Sequence, residues 1–180
     1  MPTIAFPSSD EYAEFHKGYI AAVAGERDAI AVLERQWELI EGLRRLTNEQ
    51  THYRYADGKW SVAAVIGHVA DAERVLSYRL LRIARGDETP LPGFDEKILA
   101  ANSNADQRPL DDLLNELAAV RAATLTLVRS LDAAALTRRG LVNNWNLSVR
   151  ALAFIIAGHF QHHLNVLAER YGIAQALYSL

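Results

Sequence analysis

An all-α domain, a four-helix bundle with short accessory helices, is what this sequence predicts, on three observations. Four long segments carry apolar residues at three- and four-residue spacing, the mark of helices that bury one face. No segment alternates apolar and polar residues with β-branched enrichment, as a half-buried strand would. The chain has 180 residues, enough for one domain with its own core and no external staple. Four amphipathic helices of that length bury their apolar stripes most simply against one another. No composition shift or low-complexity stretch marks a boundary, so residues 1–180 are read as one domain.

Residues 1–9 read as an irregular lead-in, and residues 10–24 as a short helix capped by Ser9 or Asp10 and ended by Gly25. The first long helix spans about residues 26–46, with Ile30, Leu33, Trp37 and Ile40 on one face. Thr47-Asn48-Glu49-Gln50 has the form of a capping box, which starts a further short turn. A loop at residues 53–59 holds Asp57-Gly58, a turn pair. Ser61 caps the second long helix, which reaches about Arg85, with Val62, Ile66, Val69, Leu80 and Ile83 as its core stripe. Residues 86–93 then hold two glycines and two prolines, a clear break. A short helix follows at about residues 95–102, and Arg108-Pro109 opens the third long helix, to about Leu131. Its candidates for burial are Leu113, Leu117, Val120, Leu127 and Val128. The connection between the second and third long helices is about 23 residues, so these two need not be antiparallel neighbours. Residues 132–136 read as a short turn and residues 139–146 as a loop. The fourth long helix runs from a Ser148 cap to Arg170 and stops at Gly172. Residues 171–180 form an apolar tail suited to packing on the bundle or on a partner chain.

Composition narrows the function. Formal net charge is −3 and no basic tract occurs, so nothing builds a surface for nucleic acid. Cysteine is absent, which excludes disulfides, thiolate-bound zinc and a protein-derived thiol nucleophile. The first ten residues lack the pattern of a signal peptide, and the longest apolar run, residues 151–158, is too short to span a bilayer. The expected location is cytoplasmic, with neither membrane nor nucleic acid as a partner.

The chemistry concentrates in the fourth helix, at Gly158-His159-Phe160-Gln161-His162-His163. At roughly 100° per residue, Leu152, Ile156, His159, His163 and Leu167 share one stripe, and His162 lies at its edge. Histidines at i and i+4 on one helix face can grip one metal ion. No glutamate follows His159, so the metalloprotease motif is absent. A pair alone fits a hydrogen-bonded core as well as a metal.

A third ligand would decide between these. His68 is the one histidine of the other long helices. It lies on the flank of its helix with Val65, Ala72 and Val75, a position that suits a side chain reaching toward a neighbour and equally a partly exposed one. His16 and His52 lie near polar or loop stretches and are read as surface residues. Three imidazoles from two helices would bind a divalent metal with a position left open, as catalytic zinc sites do. Imidazole also suits nickel, iron or copper. Glu73 falls at the centre of an apolar stripe, where an unpaired carboxylate is costly. It is expected to be buried, paired with an arginine such as Arg79 or Arg44, or accepting a hydrogen bond from a ligating imidazole.

Three blocks of sequence carry a family resemblance. Lys59-Trp60-Ser61-Val62, Gly67-His68-Val69-Ala70-Asp71-Ala72-Glu73 and Tyr78-Arg79-Leu80 resemble the second helix of the DinB-like superfamily, which includes the YfiT-type proteins. Residues 85–94 resemble the loop that follows it in one branch, and Gly158-His159-Phe160-Gln161-His162-His163-Leu164 resembles the closing helix. The resemblance covers about residues 20–172. It implies a bundle in up-down-down-up order with a long crossover, often dimeric. It also implies a divalent metal (zinc, nickel or iron) held by His68, His159 and His163, with His162 outside the ligand set.

Characterised members of that superfamily include transferases that use low-molecular-weight thiols such as bacillithiol, mycothiol or glutathione, and a thiol-dependent isomerase. By resemblance, the chain is expected to conjugate such a thiol, as co-substrate, to a small electrophile. Arg79, Arg82 or Arg150 could supply charge for the thiol's polar groups. The alternatives are metal-assisted hydrolysis, with Glu73, Asp71 or His162 as the available bases, and a non-enzymatic, stress-related metal- or ligand-binding bundle.

Overall fold

The computed structural model describes residues 3–174. Its four long helices are α2 (Ala29–Gly42), α4 (Val62–Ala84), α6 (Leu110–Arg129) and α8 (Val149–Tyr171), with shorter α1 (Lys17–Ala22), α3 (Asn48–His52), α5 (Glu96–Asn102) and α7 (Ala133–Thr137) between them. The starts lie where polar caps are available. Asp28, Ser61, Asp95, Asp132 and Ser148 each accept a backbone N–H of the first turn, and Thr47 and Gln50 complete the capping box of α3. Gly172 ends α8 in the left-handed conformation, φ 70°.

Around the bundle, α4 and α2 each pack against both α6 and α8. Side-chain pairs give the directions. Arg44 with Asp111 and Arg129 with Glu34 run α2 and α6 antiparallel. Trp60 with Tyr171 and His68 with His159 run α4 and α8 antiparallel. Arg74 beside Glu116, with Leu81 and Leu127 further along the same groove, runs α4 and α6 parallel. The order is therefore up-down-down-up, as the family resemblance implies. The long connection from α4 to α6 is the return crossover that two parallel neighbours require.

Apolar side chains fill two regions, one around Leu33, Leu80, Val128 and Phe154, the other around Ile66, Leu114, Leu117 and Phe160. Between them lies a polar knot. The Arg121 side chain, 0% exposed, donates from Nε to both Glu73 oxygens (2.9 and 3.2 Å) and from Nη2 to Glu73 Oε2 (2.9 Å). Its Nη1 donates to the Leu33 carbonyl and to Gln36 Oε1, both at 3.1 Å. Gln36 Nε2 in turn donates to the Ala157 carbonyl at 2.8 Å, and the guanidinium lies 4.8 Å from the Phe160 ring centre. All four long helices meet in this network. Glu73 is buried and paired with an arginine as expected, but that arginine is Arg121; Arg79 and Arg44 face elsewhere.

Three expectations need correction. The segment at residues 10–24 starts its helical turns only at Glu14, as a 3-10 turn leading into α1. Asp10 is drawn instead to Arg139, which leaves it unavailable as a cap, and Glu11 is drawn to Ser148 and Arg150. Residues 139–146 are mostly a hairpin: β1 (Arg139–Val142) pairs antiparallel with β2 (Trp145–Ser148). Its turn, Asn143-Asn144, has φ of 47° and 66°, the conformation that a two-residue turn demands and asparagine tolerates. Strands of four residues are too short to display alternation. His16, read as a surface residue, is buried at 9% exposure, because Ala13, His16, Ile20 and Val23 form the inward face of this segment. Of the apolar tail, Tyr171 and Ile173 pack into the core, and residues 175–180 lie outside the described residues.

Removing one partner of a buried ion pair leaves an uncompensated charge and costs about 3–5 kcal/mol. Urea unfolding of Arg121→Met should show a loss of that size. Adding Glu73→Met should return much of it, since the stranded carboxylate goes too.

Candidate metal centre

His68 comes from the end of the second turn of α4, and His159 and His163 from consecutive turns of α8. Because α4 and α8 are antiparallel and adjacent, the flank of one faces the stripe of the other. The Nε2 atoms of His68 and His159 face each other at 3.1 Å. Nitrogens of all three rings lie within 4.8 Å of one another, and ring centres are 4.6–5.0 Å apart. His162 points outward, is exposed, and lies beside Tyr19 at 5.5 Å between ring centres.

Burial is the main cause that holds the three imidazoles below the ordinary histidine range: His68 to about 4, His159 to about 3, and His163 lower still. Each also feels positive charge on its histidine neighbours, while Glu96 partly offsets the effect at His68. The rings are therefore neutral at pH 7, the form in which imidazole binds a metal. Three neutral nitrogen donors converging on one point fit a divalent ion of the zinc, nickel or iron kind.

Close backbone packing supports the cluster. A Cβ at Gly158 would collide with the backbone carbonyl of Tyr19, so glycine there lets α1 lie directly on α8. Tyr19 then covers His159, ring centres 5.2 Å apart, while Trp60 covers His68 at 4.9 Å.

The cluster forms one wall of a cavity of about 440 Å³. Aromatic rings dominate the other walls, among them Phe15, Tyr19, Trp60, Phe94 and Trp145. The crossover and the hairpin close it together: Leu91 N–H donates to the Leu141 carbonyl at 2.8 Å and Asn143 N–H to the Leu91 carbonyl at 2.9 Å. Those two bonds bring Phe94 and Trp145 to the same cavity.

Of the three arginines expected to supply charge, only Arg79 lines the cavity. Arg82 is paired with Asp87 and Tyr78, and Arg150 with Glu11. Of the three expected bases, none lines it. Glu73 is held by Arg121, Asp71 lies beside Arg74 at 3.6 Å, and His162 faces out. The carboxylate that does line the cavity is Glu96, at the start of α5. Sequence reasoning missed Glu96 because the crossover carries it back over the bundle, and nothing in local pattern announces that path. His16 also lines the cavity, and here a signal existed in the 13/16/20/23 spacing.

The chain is similar to several known proteins. A family model described as the DinB superfamily matches residues 32–167. A curated protein of Oceanobacillus iheyensis, named as a candidate metal-dependent hydrolase, is 25% identical over 126 residues, 69% of this chain and 72% of the relative. A candidate metal-dependent hydrolase of Geobacillus thermodenitrificans is 29% identical over 122 residues, 68% of this chain and 64% of the relative, just under two thirds of its length. The solved structure of YfiT from Bacillus subtilis, described as a candidate metal-dependent hydrolase with an unusual four-helix bundle topology, superposes with a TM-score of 0.68. That match is 20% identical, covers 93% of this chain and 94% of the other, and establishes a shared fold. Among the described residues, no helix is long and apolar enough to cross a membrane.

The depressed pKa values make stability depend on pH. An unfolded histidine takes up a proton near pH 6.5, whereas His16 and His68 resist protonation until about pH 4 and His159 until about pH 3. The unfolded state thus binds more protons as pH falls, and the stability present above pH 6.5 is lost on the way to pH 4. Thermal melts of metal-free protein should fall steadily across that window, and His159→Ala should flatten the decline. A melting temperature constant from pH 7 to pH 4 would contradict the burial of these rings.

Proposed function

The chain belongs to the DinB superfamily, and we propose that it holds one divalent metal ion through His68, His159 and His163 and conjugates a low-molecular-weight thiol to a small electrophile. The observation that carries the metal assignment is the convergence of three neutral imidazoles on one point at the wall of a cavity. An ion bound by neutral donors keeps its positive charge and supplies the acidity that turns a coordinating thiol into a thiolate, or a coordinating water into hydroxide.

The chain's own residues set the conditions. Tyr19 and Trp60 cover the imidazoles and exclude bulk water from that side. The aromatic walls suit an apolar electrophile, and Arg79 offers a positive group within the same space. A chain with no cysteine has no thiol of its own to compete for the metal.

Hydrolysis is the second reading, and Glu96 favours it. This carboxylate lines the cavity and acts electrostatically on His68, a position from which it could take a proton from an attacking water. The curated relatives' names agree with it.

One set of assays separates the two. Full-length protein loaded with zinc, nickel or iron is tested for conjugation of glutathione and cysteine to chlorodinitrobenzene, and for cleavage of nitrophenyl acetate. Thiol conjugation that requires metal is the expected result. His159→Ala should remove metal and activity together, lowering turnover at least about 100-fold, beyond the loss of a merely supporting group, with the helical circular dichroism retained. Ester cleavage without conjugation would support hydrolysis through Glu96, and metal-loaded protein inactive in both assays would support a binding role.

A further inference from the structure

Among the described residues, buried charges are matched with one exception. Glu11, 2% exposed, is met by Ser148 and Arg150, and Glu73 and Arg121 meet each other. Arg79 on α4 is 8% exposed, yet no carboxylate pairs with it among the described residues. Its Nη2 donates to the Pro92 carbonyl at 2.7 Å, and its guanidinium lies 5.2 Å from the Phe94 ring centre. Those contacts orient the group and leave most of its five N–H donors unused. A buried cation without a counter-charge is costly, and a site that keeps one is prepared for an anion from outside.

His16 faces the same cavity. Its Nδ1 is the one buried side-chain nitrogen or oxygen without a hydrogen-bond partner among the described residues. Both side chains line this one cavity, close enough that the charge of Arg79 is felt at His16. Glu96 does not answer them: it is exposed, and its charge acts on His68 and Tyr19.

We propose that Arg79 and His16 form a carboxylate-binding subsite in this cavity, so that the ligand presents its carboxylate to them and its reacting end to the three histidines. The planar fork of a guanidinium matches the two oxygens of a carboxylate, and a neutral imidazole can add one N–H. The other walls of the cavity include rings such as Phe15 and Trp145, so the rest of the ligand is apolar or planar. The ligand class is a small carboxylic acid with an aryl or unsaturated body. The anion subsite stands on Arg79 and His16 alone; only the orientation of the reacting end rests on the metal reading above.

Benzoate and its neutral isostere benzamide are the probes, titrated into full-length, metal-free protein so that no ion can take the carboxylate. Trp60 and Trp145 line the cavity, and their fluorescence reports binding. Benzoate should bind at least about tenfold more tightly than benzamide, the order expected of a hydrogen bond to a charged group. Arg79→Gln should abolish that preference, Arg79→Lys should keep part of it, and His16→Gln should reduce it, all with wild-type zinc stoichiometry. The His16→Gln and Arg79→Lys variants serve if Arg79→Gln does not fold. Equal binding of the two probes, or a preference unchanged in the variants, would overturn the proposal. Phenyl phosphate binding about tenfold more tightly than benzoate would overturn the carboxylate assignment in favour of a phosphoryl group. His163→Ala should lose zinc and keep the benzoate preference. Wild-type protein that prefers benzoate but takes up no zinc would refute the metal reading and leave this subsite standing.

Discussion

The bundle depends on one buried cation. Arg121 sits at the centre of the α6 stripe, and its guanidinium reaches α4 through Glu73, α2 through the Leu33 carbonyl and Gln36, and α8 through the face of Phe160. Gln36 closes the circuit to the Ala157 carbonyl. Apolar packing alone tolerates sliding of one helix along another, because it is non-directional. A charged group with fixed donors does not, since any shift by one turn strands a charge or a carbonyl in a dry core. We read this network as the device that fixes axial register among four helices whose other buried contacts are mostly apolar.

Register is what the candidate metal centre needs. Glu73 lies little more than one turn beyond His68 on α4, and Ala157 and Phe160 flank His159 on α8. The knot and the three imidazoles are thus adjacent layers of the same interface. A slide of α4 against α8 by one helical turn, about 5.4 Å, would separate nitrogens that now lie within 4.8 Å of one another. Gly158 then fixes the third partner, since only a residue without Cβ lets α1 bring Tyr19 onto His159.

Much of this was legible in the sequence. Caps at Ser61 and Ser148 and the box at Thr47 announced helix starts, and the 159/163 pair on an apolar stripe announced an unusual face. Glu73 announced a buried partner without revealing which one. Arg121 could have been named by the same reasoning, since it too sits mid-stripe, four residues from Leu117 and from Leu125. What stayed hidden depends on long-range path. The crossover brings Glu96 and Phe94 back over the histidines, and the hairpin brings Asn143 and Trp145 to meet them. Neither is encoded in local periodicity. The burial of His16 was hidden by short helical segments too irregular to show a clean stripe.

The central claim is that three side chains from two antiparallel helices form one metal centre. The direct test is a crystal structure of zinc-loaded protein with anomalous diffraction recorded at the zinc edge. The account predicts one anomalous peak per chain, bonded to Nε2 of His68, Nε2 of His159 and a ring nitrogen of His163, with His162 outside the coordination sphere. A peak elsewhere on the chain, or a zinc bound by the α8 histidines with His68 turned away, would contradict it.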